Sequence, residues 1–222
     1  MNAFSPPRTI RVLIVDDHAL VREGLKALLM GQADMDVCGE AESAAQAMAL
    51  IKQTLPHVAV VDLTLKDGNG LQLIKDIASR HGEVRVVVSS MHEELVYAER
   101  ALQAGAMAYV HKEESSHRIL DAIRCVIEDR VFVSDQVASR LLTQAARRPN
   151  AVGRSGIDLL TDRELQVFEM IGGGLTTRKI AEKLHLSPKT VDTHRQKIRE
   201  KLNLGDAAAL THFATQWALD HQ

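Results

Sequence analysis

The first 130 residues alternate between short apolar runs and longer stretches whose apolar residues recur every three or four positions. Residues 10–15 (IRVLIV) are such a run and end in Asp16-Asp17. A helical pattern follows, with Leu20, Gly24, Leu25 and Leu28 on one face. Residues 36–39 are a shorter strand candidate; Ser43 can cap a helix over 44–51, and Pro56 breaks the pattern. Residues 58–61 (VAVV) run straight into Asp62 and a loop of Lys, Asp, Gly and Asn. Such a run, without alternation, predicts a strand buried on both faces. Asn69 or Gly70 opens a helix carrying Leu71, Ile74 and Ile77. Residues 84–89 form the next strand, and Leu95, Ala98 and Leu102 mark a helix that stops at Gly105, a left-handed cap. A short strand over 107–110 and a helix striped by Ile119, Ile123, Val126 and Ile127 complete the series. Five strands alternating with five helices predict an α/β fold, a doubly wound five-stranded parallel sheet over residues 10–132.

Beyond this the pattern changes. Residues 131–133 are too short to assign, and Ser134 or Asp135 caps a helix near 135–145 with Val137, Leu141 and Leu142. Residues 145–157 (AARRPNAVGRSGI) lose periodicity and have linker composition, so 133–157 is read as a join. Residues 1–9 are expected to be disordered. Residues 158–222 carry only helical periodicity, which predicts a second, smaller all-α domain. Thr161 and Glu164 form a capping box for a helix with Leu165, Phe168 and Ile171. That helix ends at Gly172-Gly173-Gly174, which no strand precedes and no Gly-Lys-Ser/Thr follows, so the glycines terminate a helix rather than cradle phosphate. Thr176 or Thr177 caps a second helix with Ile180, Ala181 and Leu184. Ser187-Pro188 starts a third, running to about Leu202. On that helix Val191, His194, Ile198 and Leu202 form the packing side, with His194 a buried structural histidine. Lys189, Asp192, Thr193 and Gln196 lie opposite, with Arg195 and Lys197 beside them. Asp206 caps a last helix whose Leu210, Phe213 and Trp217 close the small core. A short helix, a tight turn and a helix with a polar, basic outer face are the helix-turn-helix plan.

Composition excludes some classes. No apolar run is long enough to cross a bilayer, and the start MNAFSPPRT lacks the apolar segment of a secretory signal. The two cysteines, Cys38 and Cys125, are read as buried free thiols, so a reducing cytoplasmic location is expected. The net charge of −2 hides a local excess: over 178–201 eight Lys and Arg face three Asp and Glu. That block suggests a polyanion partner; the alternative is a solvated helix face.

The strands of a parallel sheet deliver their last residues to one edge. Strand one brings Asp16 and Asp17 there, strand three Asp62, strand four Ser89 and Ser90, and strand five leads to Lys112. Asp62 is either a strand-end aspartate that starts a turn or a phosphoryl acceptor. Three converging carboxylates repel, and a divalent cation, Mg²⁺ above all, would relieve this. On the second reading Asp62 is the nucleophile, and Lys112 and the Ser90 hydroxyl hold the phosphoryl oxygens.

The ordered blocks VDDH, VVDLTLKDGNGL, VVVSSMH and GAMAYVHK resemble the receiver domain of bacterial response regulators over about residues 8–130. The resemblance implies a flavodoxin-like fold and phosphorylation of Asp62 by a partner sensor histidine kinase. It implies Asp17 and Asp62 as direct Mg²⁺ ligands, Asp16 acting through water and the Thr64 carbonyl as a further ligand. It also makes Ser90 and Tyr109 a switch pair; the residue-level alternative for Tyr109 is a half-buried strand aromatic. Lys66 stands where relatives usually carry Pro, and Ala108 where many carry Gly. His18 and His92 flank the site and read as solvent-side loop residues.

The block from Leu160 to Leu204 resembles the LuxR-type DNA-binding domain, so the whole chain is similar to the NarL/FixJ response regulators. The resemblance implies double-stranded DNA as partner. Asp192, Thr193 and Gln196 would face base edges, and Lys179, Lys189, Thr190, Arg195 and Lys197 would hold phosphates. Many relatives carry Lys at the position of Asp192, which could accept a bond from a cytosine amine or repel misplaced phosphate. The last helix is implied to pair two DNA-bound copies, a homodimer formed on phosphorylation. The expected function is a phosphorylation-gated transcription regulator rather than an enzyme with an external substrate. The alternatives are a Mg²⁺-dependent phosphohydrolase with an aspartate nucleophile and a DNA-binding dimer indifferent to phosphorylation.

Overall fold

A computed structural model describes residues 9–65, 68–114, 116–146 and 156–220. The expected disorder of the first residues, the central part of the join and Lys66 lie outside them, Thr9 excepted. The chain divides into two compact units, residues 1–143 and 144–222.

In the first unit, β1 (Ile10–Val15), α1 (Ala19–Met30), β2 (Met35–Ala41), α2 (Ala44–Thr54) and β3 (Val58–Val61) lead to a two-residue hairpin, β4 (Thr64–Leu65) and β5 (Gly68–Asn69). Then come α3 (Gly70–Arg80), β6 (Arg85–Ser90), α4 (Glu94–Ala104), β7 (Ala108–His111), α5 (Ser116–Ile127) and α6 (Asp135–Ala146). The main sheet has five strands, all parallel, in the order β2-β1-β3-β6-β7. The apolar runs are buried as their lack of alternation requires: all four residues of β3 are inaccessible, and Val12, Ile14, Val58, Val60 and Val87 join Ile119, Ile123 and Val126 of α5 in one core cluster. Phe132, in the stretch that resisted assignment, pairs with Ala108 as an isolated parallel bridge beside β7.

The structure corrects one helix face and defines another. In α1, Leu20 is 86% exposed and Gly24 is exposed; Leu25 and Leu28 do pack on the core, with Leu29 wholly buried. In α4, Leu95 and Leu102 are only half-buried, while Tyr97, Ala98, Ala101 and Ala104 form the inner face. In α1 the stripe is turned by about 100°, one residue of helical rotation, from Leu20 and Gly24 toward Leu29, and in α4 Ala98 is shared by the marked and the buried positions. Gly105 caps α4 in the left-handed region, at φ 112°.

The second unit holds a short 3-10 turn (Gly156–Leu159), α7 (Asp162–Gly172), α8 (Thr177–Lys183), α9 (Pro188–Lys201) and α10 (Ala207–Asp220). Its helix starts are capped as their residue types dictate: Thr161 accepts from the Glu164 amide, Thr176 from Lys179 and Ser187 from Thr190. Val167, Phe168, Ile180, Val191, Ile198, Leu210 and Ala214 form the small core, and Phe168 meets the rings of Phe213 and Trp217 at 5.8 and 5.6 Å. His194 is half-buried rather than buried, and burial pushes its imidazole below the usual range.

Glu164 ties three pieces of this unit together. One carboxylate oxygen accepts the Thr161 amide at 2.8 Å and the Lys201 ammonium at 2.6 Å. Burial pushes this carboxyl up, but Lys201 and the two Thr161 groups outweigh it and hold it below the usual carboxylate range. A lowered pKa contributes stability above the unfolded-state value, and that contribution is lost as pH falls through the folded-state value. Glu164→Gln is therefore expected to cost about 2 kcal/mol near pH 7, the scale of a charged hydrogen bond. Melting curves of wild type and variant should converge as pH is lowered below the usual carboxylate range, and a gap that persists there would exclude this ion pair as its source.

Candidate functional site

The carboxyl edge of the main sheet gathers residues that are distant in sequence. The Asp62 amide donates to the Val15 carbonyl at 2.8 Å, which fixes the end of β3 beside the end of β1 and its Asp16-Asp17 pair. The Lys112 amide donates to the Ser90 carbonyl at 2.9 Å, so the residue after β7 is held against the end of β6. From there the Lys112 ammonium donates to Asp16 Oδ2 and to Asp62 Oδ2, both at 2.7 Å.

Each carboxylate has a second fixed partner. Asp16 Oδ1 accepts the His18 amide at 2.8 Å, which starts α1, and Asp62 Oδ1 accepts the Thr64 amide at 3.2 Å. Asp16 and Asp62 are almost completely buried. Burial, with the Asp16 charge, pushes the Asp62 carboxyl above its usual range against the pull of Lys112 and Thr64. Burial lowers Lys112, but its two carboxylate partners outweigh this and raise it, so it stays charged.

Asp16, Asp17, His18 and Asp62 each offer a ligand atom within 4.8 Å of the others. Three carboxylates against one ammonium leave a negative site of hard oxygen donors, the chemistry a small divalent cation fits. His18, read from sequence as a bystander, belongs to this cluster: its Nδ1 lies 2.8 Å from Asp17 Oδ1, although its side chain is 64% exposed.

Ser90 and Tyr109 meet at His92, which was read from sequence as a solvent-side loop residue and is half-buried, in a role the sequence did not reveal. The Ser90 hydroxyl accepts the His92 amide at 3.2 Å, and the Tyr109 hydroxyl donates to the His92 carbonyl at 2.7 Å. The His92 ring lies 3.2 Å from Thr64 Oγ1 and stacks at 4.5 Å on Tyr97. Tyr109 is wholly buried, which corrects the half-buried alternative. Only the two-residue spacing after Ser90 sets His92 apart in the sequence.

Gly70 is a second such residue. A methyl group there would collide with the Asp62 carbonyl oxygen and lie 2.6 Å from Leu63 Cα, so the start of α3 passes directly against the chain that carries Asp62. The only hint in the sequence is the glycine pair of the DGNG loop.

In the second unit, Lys179, Lys189, Asp192, Thr193, Gln196 and Lys197 are exposed, while Thr190 and Arg195 are half-buried. Val191 and Ile198 face the core, so the polar residues of α9 share its outer surface. The basic block thus lies along α8 and α9, on a core-anchored frame. Arg163 adds a strut that was not foreseen, donating to the Leu184 carbonyl at 2.8 Å where α8 ends.

Among the described residues no helix is long and apolar enough to cross a membrane. The chain matches the response regulator receiver domain over residues 12–124 and the luxR family of bacterial regulatory proteins over residues 158–214. It is 34% identical over 207 residues to the response regulator GacA of Pseudomonas protegens, covering 93% of this chain and 96% of that protein. The DNA-binding transcriptional activator DevR/DosR of Mycobacterium tuberculosis is 33% identical, with 93% and 94% covered. Among solved structures, the RcsB response regulator of Salmonella typhimurium shares the fold at a TM-score of 0.69 and 23% identity, over 95% of this chain and 98% of that one. The putative NarL receiver of Mycobacterium tuberculosis matches at a TM-score of 0.53 and 34% identity, over 56% of this chain and 100% of that one. With an acid-and-lysine pocket at the sheet edge of its first unit, a helix-turn-helix in its second and relatives of this identity along nearly its whole length, the chain belongs to the response regulators, those with a receiver followed by a LuxR-type DNA-binding domain.

Proposed function

We propose that phosphorylation of Asp62 by a sensor histidine kinase controls dimerisation and DNA binding by residues 158–222, with the receiver over residues 10–132 and a linker over 133–157. The observation that carries this is the Lys112 ammonium bridging Asp16 and Asp62 across 96 and 50 residues of sequence. A nucleophilic carboxylate and a fixed cation at the rim of a rigid sheet are what phosphoryl uptake requires. Asp17, Asp62 and the Thr64 carbonyl would hold Mg²⁺, with Asp16 assisting through water; the ion would neutralise charge on the transferring phosphoryl group. An Asp62 carboxylate oxygen attacks phosphorus in line as the bond from phosphorus to the kinase's histidine nitrogen breaks, the imidazole leaving with that electron pair, and Lys112 then pairs with the phosphoryl oxygens. Ser90 exchanges its bond from the His92 amide for one to the phosphoryl group, which frees the loop that Tyr109 also grips. The receiver acts only on its own acyl phosphate, in the cytoplasm, and the phosphorylated chain pairs as a homodimer.

On the DNA side Lys179, Lys189, Thr190, Arg195 and Lys197 hold phosphates, and Asp192, Thr193 and Gln196 face the bases. Lys189→Ala is expected to weaken binding to every sequence alike and to reduce the salt slope by about one counterion. A slope equal to that of wild type would remove Lys189 from the phosphate contacts.

The test of the whole reading is full-length protein with Mg²⁺ and acetyl phosphate, assayed for self-association and for binding to duplex DNA. Both should rise together. Equal DNA affinity with and without the donor would favour a constitutive dimerisation module, and sustained hydrolysis of an external phosphoester would favour a phosphohydrolase.

A further inference from the structure

We infer that the outer face of α9 selects exocyclic amino groups of the bases, and that Asp192, positioned by Thr177, demands cytosine at one position under each bound helix. This deepens the proposed DNA-binding function and rests on it.

Asp192, Thr193 and Gln196 are exposed, non-basic side chains in the first half and middle of that helix, with Glu200 exposed one turn beyond Gln196. The Thr193 hydroxyl donates to the Lys189 carbonyl at 3.0 Å, and the Gln196 amide nitrogen donates to Glu200 Oε1 at 2.9 Å. The Ser187 and Thr190 hydroxyls pair with each other at 2.8 Å. The Thr193 donor and one of the two Gln196 N–H groups are thus taken up within the helix, which leaves the Asp192 carboxylate and the Gln196 carbonyl oxygen as acceptors toward its N-terminal half. Lys189 is a donor at the first turn, placed with Lys197 for the phosphates that flank a groove.

Asp192 is the acceptor with a partner on the preceding helix. The Thr177 hydroxyl, at the start of the preceding helix, donates to Asp192 Oδ1 at 3.4 Å. This long contact biases one oxygen toward α8 and leaves the other to meet a ligand. In the major groove guanine shows two acceptors and thymine an acceptor and a methyl group. Both repel a carboxylate. Adenine sets its amine beside an acceptor, a pattern that suits an amide such as Asn or Gln, whereas cytosine shows the amine alone. A buried carboxylate that finds no donor loses its hydration for nothing, so the penalty for a wrong base is larger than the gain for the right one. The acid within a basic block therefore acts as a filter on sequence at some loss of general affinity.

The experiment is selection from a randomised duplex library by full-length wild type, Asp192→Ala, Asp192→Asn and Thr177→Val, each with Mg²⁺ and acetyl phosphate, followed by affinity measurements on the selected site. Wild type should fix a cytosine that Asp192→Ala does not, with the other positions unchanged. Replacing that cytosine should cost wild type about 5- to 150-fold in affinity and Asp192→Ala little. Asp192→Asn should move the preference toward adenine. Thr177→Val should keep the cytosine but narrow the discrimination several-fold, a readout that loss of fold would not give. The same motif from wild type and Asp192→Ala overturns the inference, as does a uniform gain in affinity on every sequence in Asp192→Ala, the mark of a residue that merely repels phosphate. If wild type itself enriches no sequence, the DNA-binding reading falls, and this inference with it.

Discussion

With Mg²⁺ and acetyl phosphate, intact-mass measurement of the Asp62→Asn variant is expected to show no added phosphoryl group, while wild type gains one that hydroxylamine removes. The physical reason is local. A carboxamide oxygen is a poor nucleophile, and no neighbour can replace the carboxylate. Both Asp16 oxygens are engaged, one by the His18 amide and one by Lys112, and Asp17 has no bond to that ammonium among the described residues. The variant should also fold at least as well as wild type. Burial and the Asp16 charge hold the Asp62 carboxyl above its usual range, so its ionised form costs stability once pH exceeds the unfolded-state value. Removing that charge leaves Lys112 paired with Asp16, and a gain on the order of 1 kcal/mol is expected. Labelling of Asp62→Asn to the wild-type extent would refute Asp62 as the acceptor, and peptide mapping would then show which acid took its place.

Gly70→Ala is expected to destabilise the first unit by about 3 kcal/mol, the upper end of overpacking costs, and to slow phosphoryl uptake with it. The added methyl would meet backbone, the Asp62 carbonyl oxygen and Leu63 Cα, rather than a side chain that could swing aside. The Gly70 amide also donates to the Leu63 carbonyl at 3.0 Å, so the two segments are already locked. Relief would require moving the end of β3, and Asp62 with it. Gly24→Ala is the matched control. It lies on the exposed side of α1 with nothing within 4 Å of a new methyl group, and should stabilise by roughly 0.5–1 kcal/mol. Urea unfolding of the two variants gives both signs in one measurement, and a Gly70→Ala midpoint equal to wild type would mean that the loop yields freely.

Much of the architecture was legible because burial leaves a direct trace in residue choice. The unbroken run before Asp62 could only be a strand covered on both faces, and Thr161, Ser187 and Pro188 announce helix starts through groups that satisfy orphan amides. The helix faces were read less well. Leu20 and Leu29 are equally apolar, yet the first is exposed and the second wholly buried. Periodicity places a stripe to within one residue, and only packing on the sheet chooses between neighbours.

The sequence by itself determined the order of strands and helices, the all-helical second half and the positions of the acids, lysine and basic block along the chain, because hydrophobic period and capping chemistry act over a few residues. Tertiary structure alone decided that one ammonium would bridge Asp16 and Asp62, that His92 would join Ser90 to Tyr109, that Gly70 would lie against Asp62, and that Lys201 would reach Glu164. Each of these pairs elements whose spacing in sequence carries no signal. Their geometry follows from how parallel strands align at one edge and how helices pack, and those are set by the whole core at once.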